Sequence, residues 1–134
     1  MSRHAITAEN LMAVATAQGV ELKQGDILLV RSGFTKGYMS LTTNEKISWS
    51  DKTPTDWIGV ETSIRTARWL WDTGFSACAG DQPGWESFPI WQSNEKDGLE
   101  ELSLHEVMLS GWGMPIGRFS FFRPSNHWLT YRSR

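Results

Sequence analysis

Asp81 stands immediately after Gly80 at the exit of the short apolar run Phe75–Ala79, FSACA. A carboxylate at the carboxyl end of a strand lies where open α/β sheets hold their ligands. It also suits the plainer task of accepting backbone N–H groups and closing a turn, and the sequence leaves both readings open. Trp85 follows within QPGWESFPIW, a stretch with two Pro, one Gly and two Trp that fits neither helix nor alternating strand. Its ring can stack on a planar substrate or pack beneath the loop. Cys78, the single cysteine, sits inside the apolar run, which suits a small packing residue better than a nucleophile.

Metal chemistry needs three or four converging His, Cys, Asp or Glu ligands, usually two of them close in sequence. His4, His105 and His127 share no such spacing with one another. His4 reads as a solvated terminal residue, and the pair Glu100-Glu101 as a solvated face. No nucleophile elbow, P-loop or dinucleotide-binding glycine motif is present.

These residues need elements to position them. Thr7 is a good N-cap for a helix over Ala8 to Gln18, with Ile6 and Leu11 spaced for a hydrophobic staple, Leu11, Ala15 and Met12 facing inward, and Gly19 as the stop. Ile27-Leu28-Leu29-Val30 is a continuous branched-apolar run that fits a central strand. Thr35 to Thr55 is polar and reads as a long loop with at most a short helix, the kind of segment that covers a site or packs on another part. Val60, Ile64, Ala67 and Trp71 fall at offsets of four, three and four, which predicts a helix with that face inward, ending at Asp72 or Thr73 with Gly74 as its left-handed cap. Phe75–Ala79 is small and apolar enough for a strand covered on both faces. Ser93 to Gly98 is polar and expected to be exposed. Ser103 to Ser110 predicts a short helix with Leu104, Val107 and Met108 on one face and His105 and Leu109 turned away. On that ground His105 is a surface or satisfied histidine.

The 134 residues make about one domain, and 40% hydrophobic residues suffice for a core. Eight Trp is a high count that more often fills a core than lines a pocket. A net charge of −2 gives no general attraction to nucleic acid or anionic membrane, and no apolar run is long enough to span a bilayer. The first residues lack the order of a secretory signal, and a lone cysteine suits a reducing compartment, so a cytoplasmic chain is expected. From Arg118 onward there are four Arg and no acid, whereas the first 117 residues carry nine basic and fifteen acidic side chains. The residues alone therefore predict an α/β domain with a pocket near Asp81 and no stated mechanism.

Three segments carry a family likeness: GDILLVRSG at Gly25–Gly33, WLWDTGFSACAGDQPGWESFP at Trp69–Pro89 and LHEVMLSGWGMPIG at Leu104–Gly117. In order and spacing they resemble the cyclase family of metal-dependent hydrolases, which includes the bacterial-type kynurenine formamidases. The second and third look most like fungal members. The resemblance implies a swivelling β/β/α fold, here in part, over residues 1–117, with 118–134 as a basic tail that departs from the family pattern.

It also implies a divalent metal, zinc or manganese, and hydrolysis of an amide-type bond such as the N-formyl group of N-formylkynurenine, a step of tryptophan catabolism. Two metal-binding features of the family bear on this chain. The signature H-x-G-T-H-x-D-x-P is not present, and in relatives it precedes the segment matching GDILLVRSG, which leads us to expect a truncated chain. The second is a His on a later helix, matched by His105, with a Glu about a dozen residues beyond, where this chain reads GMPIGRFSFF. The expectation is thus an arylformamidase-like hydrolase whose chain, taken alone, is inactive, with His105 as its one retained metal ligand and Asp81 and Trp85 shaping a substrate pocket. The partner is a small molecule rather than nucleic acid or membrane, and a homo-oligomer is compatible. The alternative is a non-catalytic fragment that at most binds a partner.

Overall fold

The computed structural model describes residues 2–90 and 102–118. Expectations for Trp91, Ser93 to Gly98, Glu100-Glu101, His127 and the tail beyond Arg118 fall outside them.

Strand β1 (Ala5–Ile6) leads into helix α1 (Ala8–Ala17), whose N-cap Thr7 accepts the Asn10 N–H at 3.2 Å while Asn10 Oδ1 accepts the Thr7 N–H. This reciprocal cap satisfies two of the helix's orphan donors. Leu11 packs on the core as expected, but Met12 is 40% exposed. Strand β2 (Ile27–Val30) follows.

Two helices then occupy the stretch expected to be loop, α2 (Phe34–Ser40) and α3 (Thr43–Ser50). The signal for α3 is a capping box at Thr42 and Glu45, where the hydroxyl accepts the Glu45 N–H and the carboxylate accepts the Thr42 N–H at 2.8 Å. A T-x-x-E pattern outweighed the polar composition. Phe34, Tyr38 and Trp49 pack as an aromatic trio between the two helices.

Strand β3 (Gly59–Val60) runs parallel to β1, and helix α4 (Ile64–Thr73) comes next. Its end at Thr73 and the left-handed Gly74, φ 73°, are as expected. Its inward face is not. Val60 belongs to β3, Ile64 and Trp71 are 38% and 59% exposed, and Thr66, Ala67 and Leu70 are the buried residues. Ser63 explains the offset: it caps the helix by accepting the Thr66 N–H, and its hydroxyl bonds that of Thr66 at 3.1 Å, so a polar residue can go inward.

Strand β4 (Ala77–Gly80) starts two residues later than Phe75, whose ring packs edge-on against Trp69. It is the middle strand of a parallel sheet ordered β2-β4-β5, with β5 at Ile116–Arg118. The central position belongs to β4 and not to β2, because Cys78 and Ala79 are small enough to be covered on both faces whereas Ile27 is 38% exposed. Between β4 and β5 lies α5 (Glu106–Gly111), a π-helix that continues the turn begun at Leu104 and His105. Leu104 and Met108 are fully buried against Val30, Val60, Leu70 and Trp85, and Leu109 points outward, 46% exposed. No helix among the described residues is long and apolar enough to cross a membrane.

Candidate functional site

The segment after β4 lies beside β3 and is fastened from several sides. Val60 donates its N–H to the Trp85 carbonyl at 3.0 Å, and Ser87 donates to the Val60 carbonyl at 2.9 Å. Trp57 Nε1–H bonds the Glu86 carbonyl at 3.0 Å, and the Trp57 ring stacks on Phe88 with centroids 4.5 Å apart. Gly59 passes so close that a Cβ there would fall on the Glu86 carbonyl and 2.5 Å from the Ser87 nitrogen. Only glycine admits that approach. The backbone of Glu86 is thereby held, and its carboxylate is 7% exposed as a residue, a burial that demands a partner.

The partner is His105. Its Nδ1 lies 3.0 Å from Glu86 Oε1, and its backbone N–H donates to Glu86 Oε2 at 3.1 Å. Both carboxylate oxygens therefore serve one residue. The ring hydrogen bond that Glu86 accepts raises the His105 pKa above its ordinary value, burial opposes that rise, and the charge of Glu86 adds to it. The ring remains 38% exposed, and Nε2 makes no bond to the described residues. An imidazole paired on one nitrogen and open on the other is equipped to take up or deliver a proton.

Asp81 is engaged elsewhere. Its Oδ1 accepts the Ser32 N–H at 2.6 Å and the Ser32 hydroxyl at 2.8 Å, and Oδ2 accepts the Thr35 N–H at 3.4 Å. It caps α2, whose own N-cap Gly33 has no side chain to do so. Trp85 is 2% exposed and packs in the core, with Nε1 finding no acceptor among the described residues. Cys78 is also buried, and burial pushes its thiol up to about 12, so it is protonated and inert at neutral pH. Asp81 and Trp85 make no bond to His105; the residue brought to it is Glu86.

Glu86 was missed at the sequence level, although a signal was there. It is a lone acid between Trp85 and Phe88 in an apolar, Pro-containing loop, and a carboxylate so placed is buried with a partner or not buried at all.

Among the described residues no three His, Cys, Asp or Glu side chains converge. His105 can offer Nε2 alone, since Nδ1 is engaged by Glu86 Oε1, and Glu86 Oε2 is engaged by the His105 backbone N–H. One imidazole does not hold a hydrated divalent ion in a fixed, open geometry. The described residues do not fit zinc or manganese.

The described residues form an α/β domain of parallel sheets that holds the His105 imidazole against the buried Glu86 carboxylate. A family model described as "Putative cyclase" matches residues 1–87, and the chain belongs to the cyclase family. The matched region ends just past Glu86 and does not reach His105. A solved structure described as a novel cyclase superposes with a TM-score of 0.70 at 22% identity, covering 87% of this chain and 34% of its own. At that identity the likeness concerns fold alone, and this chain spans about a third of the other's length. No curated protein matches the chain.

Proposed function

We propose that the chain is a domain of an arylformamidase-like amide hydrolase, contributing proton transfer through His105 without forming a complete catalytic centre by itself. The observation that carries the reading is the half-exposed imidazole of His105 held at 3.0 Å by the buried carboxylate of Glu86. Hydrolysis of an N-formyl aryl amine adds water to the formyl carbon and breaks the C–N bond, and the departing nitrogen must gain a proton. A histidinium can give that proton from Nε2, with Glu86 stabilising its positive charge. The resemblance of Leu104–Gly117 implies a metal ligand at His105; the proton-transfer role rests instead on its pairing with Glu86. Asp81 and Trp85 enter as residues that shape the surroundings, through the Ser32–Thr35 turn and the core respectively.

The donor set favours a second reading. With no three metal-ligating side chains converging among the described residues, a non-catalytic domain that at most binds a partner is consistent with the same geometry. Titrating the isotope-labelled chain with N-formylkynurenine separates the two. The hydrolase reading expects saturable displacement of the His105 ring signals, because the formamide approaches Nε2. Unmoved His105 signals at millimolar ligand would leave the non-catalytic reading standing alone.

A further inference from the structure

We propose that Glu86 is the positioning residue for His105, fixing the imidazole as its Nδ1–H tautomer and leaving Nε2 as the unprotonated nitrogen of the neutral ring, and that Gly59 and Trp57 set the register this requires. The proposal rests on the reading of His105 given above and adds a residue and a second layer to it. The carboxylate is bidentate toward a single residue: Oε1 faces Nδ1 at 3.0 Å and Oε2 accepts the His105 backbone N–H at 3.1 Å. A carboxylate that held only the ring would leave the ring free to swing about its own backbone. Holding ring and backbone together fixes the side chain relative to the start of its helix.

A buried carboxylate is an acceptor only, so the neutral imidazole facing it must carry its proton on Nδ1. Nε2 is then the unprotonated nitrogen of the neutral ring, so the tautomer is set by the bond that Nδ1 makes to Glu86. The helix itself is consistent with this demand, since the π-helix begins at Glu106, directly after the held residue. Such departures from α geometry recur at functional positions. Glu106 serves a different end, accepting the Ser103 N–H at 2.7 Å and the Ser103 hydroxyl at 2.8 Å, so it does not compete for His105.

The second layer places Glu86. Its carbonyl accepts the Trp57 indole N–H, the bridge from Val60 to Glu86 runs parallel beside it, and Gly59 leaves no room for a Cβ. Because successive side chains of an extended segment point to opposite faces, a slip of one residue here would turn Glu86 away and present Trp85 or Ser87 to His105.

The test reads ring-nitrogen chemical shifts of His105 and exchange of its backbone amide in the 134-residue chain, without substrate or metal. It can therefore fail independently of the hydrolase reading, which the ligand titration addresses. Wild type is expected to show the Nδ1–H tautomer at alkaline pH and a protected His105 amide. Glu86→Ala is expected to lose both signatures. Glu86→Gln keeps one acceptor oxygen, so it should retain either the tautomer or the amide protection and not both. Gly59→Ala is expected to lose both signatures with Glu86 itself unchanged. A merely structural role would lower the melting temperature of these variants and leave the tautomer as in wild type. Should Glu86→Ala and Gly59→Ala fail to fold, wild type still decides, because an Nε2–H tautomer there would overturn the proposal.

Discussion

The hydrogen bond and charge of Glu86 make His105 easier to protonate in the folded chain than in the unfolded one. A folded-state pKa raised above the unfolded value stabilises the fold fully below the unfolded pKa of about 6.5. That contribution is lost as pH rises through the folded pKa. Wild type should therefore exceed Glu86→Gln in melting temperature by a larger margin at pH 6 than at pH 9, measured by circular dichroism at constant ionic strength. A margin independent of pH would mean that the pair contributes through packing alone. The partnership of Glu86 with His105 was not legible in the sequence, because the two residues lie nineteen positions apart and meet through the fold. His105 was legible only through the family resemblance. Its pattern position, off the Leu104–Met108 stripe, told correctly that it is not core and nothing about what it faces.

At the scale of elements, local capping chemistry proved a better guide than apolar spacing. The caps at Thr7 and Gly74 are as expected, and Thr42 with Glu45 announced a helix that polar composition concealed. In α4 the apolar residues Ile64 and Trp71 marked the wrong face, because the Ser63–Thr66 hydroxyl bond lets a polar residue go inside. Hydrophobic periodicity has no means of seeing that compensation. The corrected face makes a prediction. Leu70→Ala, fully buried in wild type, should destabilise the chain by about 2–5 kcal/mol in urea unfolding. Trp71→Ala should cost at most about 1.5 kcal/mol, the scale of its aromatic contact with Trp112 at 5.1 Å. Equal losses would restore the stripe inferred from spacing. The small residues of β4 were read correctly as doubly covered, and the middle place in the sheet follows from that.

Among the described residues, a cyclase-family fold carries the histidine–carboxylate pair His105–Glu86. The parallel sheets and the pair's surroundings draw on residues from Trp57 to His105, and β5 extends through Arg118, one residue into the stretch that composition sets apart. Within the described residues this architecture supplies a group able to move a proton and no set of three donors for a metal. Binding without stabilising the transition state gives no rate, and unactivated water is too weak an acid to supply hydroxide at neutral pH. The direct measurement is hydrolysis of N-formylkynurenine by the purified 134-residue chain in excess zinc or manganese, with His105→Ala alongside. The expected result is no turnover above the uncatalysed rate for either protein at any metal concentration. Metal-dependent turnover by wild type that disappears in His105→Ala would show a complete centre assembling within this chain, and would contradict the account.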